Sequence, residues 1–134
     1  MNARIMEFKI LGERNAPLVA LESNKNIPFH IERVYYLFGT EKGVKRGFHA
    51  HRKLQQIMIC VSGSCTVLLE DGKKKLRVVL DRPSVGLYLS GMIWREIHDL
   101  SDDCVILVLA DQHYDENDYV RSYEEFLSIV SRNL

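Results

Sequence analysis

The stretch Arg46-Gly47-Phe48-His49-Ala50-His51 decides the architecture that we predict for this chain. Its two histidines are separated by one residue, and side chains at positions i and i+2 of a β-strand point to the same face. His49 and His51 therefore project together into the space that this face encloses. An arginine and a glycine precede the pair, so a permanent positive charge lies close to two imidazoles in the sequence.

The residues around the pair have the spacing of the first motif of the cupin barrels, which is glycine, His-x-His, glutamate and glycine. Gly43 lies six residues before His49, Gln56 lies five after His51, and Gly63 lies seven after Gln56. Gln56 stands where the motif normally has a metal-binding glutamate. The resemblance implies an all-β fold of the cupin or jelly-roll type, a small β-barrel.

The composition is that of one ordinary globular domain, and we treat residues 1–134 as a single unit. The 18 basic and 18 acidic residues balance, which argues against a general binder of nucleic acid or of membrane surfaces. The sequence has no long apolar span and no signal-peptide core, which predicts a cytoplasmic protein. Its three cysteines are an odd number and are expected to be reduced core residues.

Most of the chain has the pattern of short strands separated by turn residues. Hairpin turns are predicted at Ser62-Gly63 and Asp71-Gly72, with Cys60 and Cys65 facing each other across the first of them. The segment 103–110 is apolar on both faces, which predicts a central strand or a subunit contact. The predicted strands are 5–10, 17–21, 29–38, 46–51, 55–61, 64–70, 74–80, 86–90 and 103–110.

The C-terminal segment has a different period, which predicts one amphipathic helix over about 116–132. Asn117 or Asp118 is expected near its N-cap, and its aromatic stripe is expected to pack against the barrel. The residues that follow helical spacing are Tyr119, Val120, Tyr123, Phe126, Leu127 and Val130.

The second cupin motif has an arginine where a metal-binding cupin has its third histidine. This motif extends from Gly86 to Arg95, and His98 is out of register with it. A guanidinium is not deprotonated in proteins and repels a cation. Because two of the four usual ligands are replaced, at Gln56 and at Arg95, we predict no metal and no cofactor.

Basic residues on or beside the predicted strands point to an anionic ligand, since arginine pairs bidentately with phosphate. Imidazole both accepts and returns a proton near neutral pH. The residues alone therefore predict an isomerase or epimerase of a sugar phosphate or nucleotide sugar. If Arg33 points inward, Tyr35 does so too, while Lys53 fits a solvated surface position equally well. The basic residues are Arg33, Arg46, Lys53 and Arg95.

Over nearly its whole length the sequence resembles the dTDP-4-keto-6-deoxyglucose 3,4-ketoisomerases, the metal-free, WxcM-like sugar cupins of bacterial deoxysugar pathways. The resemblance implies that a base removes the proton at C3 of the 4-keto sugar, that an enediol forms, and that the ketone ends at C3 of a dTDP-3-keto-6-deoxyhexose. The matching segments are 26–29, 33–36, 46–51, 84–88, 94–96, 104–110 and 114–121.

The resemblance also implies roles for individual residues. His49 is the expected carbon-acid base, because 46–49 also resembles the catalytic strand of the dTDP-sugar 3,5-epimerases. His51 is expected to move protons between the two oxygens, and the two assignments are interchangeable. Arg95 would stabilise the enediolate. Arg33 and Arg46 would hold the pyrophosphate. Tyr35, or else Tyr36, would contact the hexose or the thymine. The predicted catalytic residues are His49, His51, Tyr35 and Arg95, and the predicted substrate-binding residues are Arg33, Arg46, Lys53 and Gln56.

The family further implies a homodimer, often with exchanged N-terminal strands, and a pathway to 3-amino-3,6-dideoxyhexoses of O-antigen or S-layer glycans. Two other functions stay open. A 3,5-epimerase needs a second acid, typically a tyrosine backed by a His–Asp pair, and a non-catalytic sugar-nucleotide sensor needs only the cations. The configuration at C4 of the product also stays open, with 13–17 and Arg95 as the suspected determinants, as does the preference for thymidine over uridine.

Overall fold

The computed structural model describes residues 1–132, in which twelve strands are followed by one C-terminal α-helix. A short 3-10 helix, Glu116–Asp118, precedes the last strand. The elements are β1 (Ala3–Glu7), β2 (Leu11–Glu13), β3 (Ala16–Leu18), β4 (Arg33–Leu37), β5 (Arg46–His51), β6 (Gln55–Ser62), β7 (Cys65–Glu70), β8 (Lys75–Leu80), β9 (Val85–Ser90), β10 (Trp94–His98), β11 (Val105–Ala110), β12 (Tyr119–Val120) and α1 (Tyr123–Arg132).

Two five-stranded antiparallel sheets form the body of the fold, in the orders β1-β9-β6-β11-β4 and β12-β5-β10-β7-β8. Strands β2 and β3 pair only with each other as a hairpin within the described residues. Side chains from both sheets meet in one apolar cluster that includes Met58 and Leu87 from the first sheet and Val67 and Ile97 from the second. The predicted all-β jelly-roll class with one C-terminal helix is confirmed.

Strand β6 shows why the middle of the first sheet is apolar on both faces. Met58 and Cys60 point into the space between the sheets, whereas Ile57 and Ile59 point outward and are nevertheless almost fully buried. Their cover is the irregular segment 19–31, which packs against this outer face. Strand β11 lies between β6 and β4, so its predicted central position is confirmed.

Strand β5 contains an irregularity that the period of two does not anticipate. Gly47 and Phe48 have φ angles of 86° and 63°, and the pairing with β10 shifts register between Arg95 and Glu96. This is a β-bulge, which inserts one extra residue and reverses the facing of the side chains beyond it. Only glycine suits position 47 well, because a Cβ there would lie 3.0 Å from the carbonyl oxygen of Arg95.

The predicted helix over 116–132 is wrong in its first half. The helix spans Tyr123–Arg132, and the amide of Phe126 donates to the carbonyl of Ser122 at 2.9 Å. Tyr119–Val120 instead pairs with β5, because Val120 is completely buried there. The tertiary burial of that side chain overrides its helical spacing. Within residues 1–132 no helix is both long and apolar enough to cross a membrane.

Two further differences concern turns and strands. The Asp71-Gly72 turn joins β7 and β8 as the predicted hairpin, but Ser62-Gly63 leads from one sheet to the other. Strand β10 was not predicted, because Arg95 and Glu96 interrupt its apolar pattern. Arg95 is buried in spite of its charge, which period and composition do not indicate.

Candidate active site

A cavity of about 360 Å³ lies between the two sheets, against strands β4, β5, β6, β10 and β11. Its floor is apolar and consists of Met58, Ile97 and Val108. Leu37, Gly47 and Phe48 also line the cavity. The remaining lining side chains are polar or charged. They are Tyr35, Lys45, Arg46, His49, Gln56, Arg95, Tyr119 and Arg121. The site thus combines an apolar floor with polar and charged groups that suit an anionic ligand.

His49 lies in the cavity wall as a neutral base. Burial and, secondly, the positive charge of Arg95 lower the pKa of its imidazole to about 4. The ring stands 4.8 Å from the His51 ring and 5.0 Å from the Tyr119 ring, centroid to centroid. An unprotonated imidazole at neutral pH, facing a cavity, is suited to accept a proton from a ligand.

His51 lies behind His49 and is paired with a carboxylate. Its Nδ1 is 2.8 Å from Oδ2 of Asp118, and the His51 side chain is 1% exposed. Asp118 also accepts a hydrogen bond of 2.7 Å from the backbone amide of Lys53. Nε2 of His51 is buried and has no hydrogen-bond partner among residues 1–132. The geometry therefore assigns the proton to Nδ1 and leaves Nε2 with a lone pair.

The charges around His51 act on its pKa in opposite directions. Burial and the nearby cation of Arg95 lower the pKa of His51, and Arg33 adds a smaller effect of the same sign. The Asp118 carboxylate favours the imidazolium. We conclude that the neutral imidazole prevails, since the side chain is almost completely removed from water.

Arg95 occupies the centre of the site together with Gln56. Its guanidinium donates to the Gln56 side-chain oxygen and, at 2.8 Å, to the carbonyl oxygen of Ile93. The Gln56 amide in turn donates to the Tyr35 hydroxyl at 3.4 Å. Burial lowers the pKa of Arg95 to about 10, so the group stays charged at neutral pH. A fixed cation that already occupies the Gln56 side-chain oxygen does not suit a divalent metal ion.

Three further cations surround the opening of the cavity: Lys45, Arg46 and Arg121 are all exposed and all border it. The Arg121 guanidinium lies 4.2 Å from the centre of the Tyr119 ring and forms an ion pair of 2.6 Å with Glu116. Such exposed guanidinium and ammonium groups are positioned to meet phosphate oxygens that arrive from solvent.

The structure separates the predicted residues into two groups. Tyr35, Arg46, His49, Gln56 and Arg95 line the cavity, and His51 lies directly behind His49.

Three other predicted contacts lie outside this lining. Arg33 is half-buried beside Tyr35, 5.2 Å from its ring centre, and Lys53 is exposed with only its backbone amide bound to Asp118. Neither side chain lines the cavity, so the substrate contacts of Arg33 and Lys53 stay predictions. Tyr36 is 61% exposed on the other face of β4, which leaves Tyr35 as the tyrosine of this strand that faces the site.

Sequence reasoning missed four residues of the site. Lys45 and Arg121 border the opening, the Tyr119 ring packs against both histidine rings, and Asp118 holds His51. The last three come from a segment that was assigned to the helix. The pair Asp118-Tyr119 follows a run of polar residues and precedes a buried valine, which is compatible with a strand that returns to the site.

The fold and the site define a class: a small jelly-roll protein whose interior holds a neutral histidine pair, a buried arginine and a cationic opening. The comparison with protein families then identifies the chain. The model of the family described as "FdtA: WxcM-like, C-terminal" matches residues 1–131, and the chain belongs to this family. The recognition of the 3,4-ketoisomerase family from sequence is confirmed.

Two relatives of the chain are named as 3,4-ketoisomerases or 3,4-oxoisomerases. The chain is 48% identical over 132 residues to the TDP-4-oxo-6-deoxy-α-D-glucose-3,4-oxoisomerase of Aneurinibacillus thermoaerophilus, which covers 98% of this chain and 95% of that protein. A 3,4-ketoisomerase from Helicobacter canadensis superimposes with a TM-score of 0.94 at 40% identity, over 98% of each chain.

A third relative has been solved with a keto sugar. It is a histidine-to-asparagine variant of the 3,4-ketoisomerase from Thermoanaerobacterium thermosaccharolyticum, in complex with TDP-4-keto-6-deoxyglucose. It is similar to this chain with a TM-score of 0.95 and 37% identity, over 99% of this chain and 96% of that one.

Proposed function

We propose that this protein is a sugar-nucleotide 3,4-ketoisomerase that converts dTDP-4-keto-6-deoxy-D-glucose into a dTDP-3-keto-6-deoxyhexose. Its membership of the family and the names of its relatives support this activity. The observation that carries the mechanism is the neutral His49 in a cavity that also contains the buried Arg95 cation. A base and a fixed cation in one cavity are the two groups that enolisation of a ketone requires.

The nucleotide would be held by its phosphates at the opening. Arg46, Lys45 and Arg121 border the cavity there and carry three positive charges, and a pyrophosphate carries two negative ones at neutral pH. Anchoring the pyrophosphate directs the hexose toward the apolar floor. The binding energy of the nucleotide then positions C3 against the imidazole of His49.

The chemistry moves one proton between carbons and one between oxygens. His49 removes the proton from C3, and the electrons of that bond form a C3–C4 double bond while the C4 oxygen becomes an enediolate. Arg95 stabilises this negative charge without exchanging a proton. The proton of the C3 hydroxyl is then transferred toward the C4 oxygen, C4 is protonated, and the ketone remains at C3. Atoms and electrons balance without an oxidant or reductant.

His51 is suited to the transfer between oxygens. Asp118 keeps its Nδ1 protonated, so Nε2 is available as an acceptor beside His49 and Tyr119. We assign His51 as the proton relay and Tyr119 as a candidate intermediary between it and the cavity. Tyr35 is expected to contact the hexose, because its hydroxyl lies at the Gln56 amide within the cavity lining.

A second candidate is a dTDP-sugar 3,5-epimerase. The observation that favours it is the His51–Asp118 pair next to Tyr119, since an epimerase of this type uses a tyrosine and a His–Asp pair. The two reactions share the first proton abstraction and differ in where protons return. An epimerase exchanges the protons at C3 and C5, whereas a ketoisomerase exchanges them at C3 and C4.

Proton NMR in heavy water distinguishes these reactions. Chelator-treated protein is incubated with dTDP-4-keto-6-deoxyglucose, and the sugar protons are followed with time. We expect a 3-keto product with solvent deuterium at C4, formed without added metal. The coupling at C4 then reports whether the gluco or the galacto isomer forms. Exchange at C5 would assign the protein to the epimerases instead.

A matched pair of histidine variants tests for a sensor. We expect His49→Asn to lose turnover by roughly 100-fold to 10,000-fold, the usual contribution of a general base, and to keep its affinity for dTDP. His113→Asn is the control, because the His113 side chain is 81% exposed. Binding of dTDP without proton exchange at any carbon in the unmodified protein would contradict the enzyme and leave a sensor.

We also propose that the protein is a cytoplasmic homodimer with exchanged N-terminal strands. Its product would be the substrate of a 3-aminotransferase, in the synthesis of 3-amino-3,6-dideoxyhexoses for O-antigen or S-layer glycans. The exposed hairpin of β2 and β3 and the exposed apolar residues Tyr36 and Phe38 at the edge strand β4 support a second copy. Light scattering of the purified protein tests the assembly, with twice the mass of the chain as the expected result.

A further inference from the structure

Three cysteines meet in the interior, beneath the apolar floor of the cavity. Cys60 lies near the end of β6, Cys65 begins β7, and Cys104 immediately precedes β11, so they come from both sheets. Their side chains are at most 1% exposed, and their three sulfur atoms lie within 4.8 Å of one another. The catalytic proposal makes no use of any of them.

The distances between the sulfur atoms are those of a metal site. A metal–sulfur bond of about 2.3 Å places two thiolates about 3.8 Å apart in tetrahedral geometry and about 4.0 Å apart in trigonal geometry. The sulfur atoms of Cys60 and Cys104 are 3.6 Å apart, and no pair in the cluster exceeds 4.8 Å. An ion at the centre requires displacements of well under 1 Å.

The cysteines of this chain are not distributed as ordinary small core residues. The sequence has three, and all three are in this one cluster although Cys60 and Cys104 are 44 residues apart. Among residues 1–132 this is also the one group of three metal-ligating side chains that converge closely enough to share an ion. Aliphatic side chains would fill the same volume equally well, so packing alone does not explain why all three cysteines converge here.

We propose that Cys60, Cys65 and Cys104 form a binding site for one soft, thiophilic metal ion, which three thiolates hold in a trigonal arrangement. Soft sulfur ligands without oxygen or imidazole partners select closed-shell soft ions over magnesium or calcium. Each thiol loses its proton to solvent as its sulfur binds the ion, so the step needs no oxidant or reductant.

The ion-free thiols are expected to be protonated and unreactive. Burial raises the pKa of Cys104 to about 12, and contact with Cys65 together with burial raises the pKa of Cys60 further. Binding therefore releases protons, and apparent affinity increases with pH. An ion in this place also joins β6 and β11 of one sheet to β7 of the other, which stabilises the folded chain against unfolding.

The turn at Gly63 closes the site from solvent. A Cβ on Gly63 would lie 3.0 Å from Cα of Cys104 and closer still to the side chains of Ser101 and Asp103. The Ser101 hydroxyl accepts from the amide of Ser64 and donates to Asp103, which holds the two loops together. An ion enters when these hydrogen-bonded loops separate, so slow binding is expected.

Titration with Cd²⁺ tests the proposal on the intact, phosphine-reduced protein. We expect one Cd²⁺ per chain, a thiolate-to-cadmium charge-transfer absorption in the ultraviolet, close to three protons released, and a higher melting temperature. Cys65→Ala should weaken Cd²⁺ binding by at least about 100-fold, which exceeds the usual effect of replacing a residue that only supports the ligands. Val67→Ala is the matched control, because it creates a cavity at least as large in the same strand and the same core cluster without removing a thiol.

Two results would overturn the site. One is the absence of the charge-transfer band in the unmodified protein at an excess of Cd²⁺. The other is equal affinity in Cys65→Ala and Val67→Ala. If Cys65→Ala does not fold, Cys104→Ser provides the same comparison with a smaller change in packing. Turnover of the keto sugar is measured in parallel, and its loss or retention has no bearing on the metal site.

Discussion

Nδ1 of His51 lies 2.8 Å from Oδ2 of Asp118, although the two residues are 67 positions apart in the sequence. This contact ties β5 to the segment that enters β12, and both side chains are at most 8% exposed. The carboxylate determines which ring nitrogen carries the proton. It thereby leaves the other nitrogen as a base beside His49 and Tyr119.

Replacing Asp118 with asparagine should therefore impair proton transfer more than binding. An asparagine amide donates to Nδ1 where the carboxylate accepted from it, so the proton of His51 moves to Nε2 and the relay loses its acceptor. We expect kcat to fall by roughly 100-fold, within the range of general acid–base catalysis, with KM little changed.

The nitrogen-15 shifts of His51 distinguish this effect from simple loss of structure. They should report the exchange of tautomer in Asp118→Asn and no exchange in Asp115→Asn. Asp115 is a suitable control, since its carboxylate accepts only from the nearby amide of Asn117 among the described contacts. An unchanged tautomer together with unchanged kcat would contradict the role assigned to Asp118.

The histidine pair should make the fold sensitive to acid. The pKa of His49 is about 4 in the folded chain and about 6.5 in an unfolded one, so the unfolded state binds more protons between these values. The free energy of unfolding contributed by this group is therefore fully present above about pH 6.5 and decreases as the pH falls toward 4. Urea unfolding at several pH values in this window measures it.

The control for acid sensitivity is again a histidine at the surface. His49→Gln should show a shallower loss of stability between about pH 6.5 and 4 than the unmodified chain, and His113→Gln should not. If the free energy of unfolding falls equally with pH in all three proteins, the pKa of His49 is not lowered in the folded state.

Gly47 is expected to be intolerant of even one methyl group. A non-glycine residue with a positive φ of this kind costs about 1–2 kcal/mol, and a Cβ at 47 also approaches the Arg95 carbonyl at 3.0 Å. Gly47→Ala should thus lose stability by more than the conformational cost alone and should reduce kcat, since it disturbs both His49 and Arg95.

Gly39→Ala separates these two contributions. Gly39 also has a positive φ, of 65°, but within the described part of the chain a Cβ there meets nothing within 4 Å. Gly39→Ala should lower the free energy of unfolding by only about 1–2 kcal/mol and leave kcat unchanged. Thermal unfolding and turnover of both variants provide the comparison, and equal losses would argue against the close contact at Gly47.

Arg46 should contribute to nucleotide binding rather than to chemistry. Hydrogen bonds to charged groups contribute about 1.5–3 kcal/mol, so Arg46→Ala is expected to weaken dTDP binding by roughly 10-fold to 100-fold. The loss should diminish as salt is added, because the contact is exposed to solvent. Calorimetry with Arg77→Ala, an exposed arginine of the outer strand β8, supplies the control. Equal affinities in the two variants would remove Arg46 from the phosphate site.

The sequence predicted much of the fold because its strongest signals are local. Alternation and turn residues located β5 to β9, and the apolar run near the C-terminus located β11. The errors fall where tertiary contacts override local pattern. Arg95 interrupts the apolar pattern of β10, because its charge is buried within the strand against Gln56 and a carbonyl oxygen. Strand β12 forms because Val120 fills a space beside Trp94 and Phe126.

The same division holds for the site. The spacing of His49 and His51 by itself determined that two imidazoles share one face, since this follows from strand geometry. By a period of two, however, Arg46 would lie on the opposite face from His49. The bulge at Gly47 and Phe48 adds one residue and brings both side chains to the cavity.

What the sequence by itself determined is the family, the class of fold and the paired histidines, because these depend on residue types at short, regular intervals. Only the tertiary structure decided that Asp118 orients His51, that Tyr119 and Arg121 join the cavity, and that Arg33 and Lys53 lie outside it. The physical reason is that bulges and returning segments depend on burial and hydrogen bonds between distant parts of the chain, which no local period encodes.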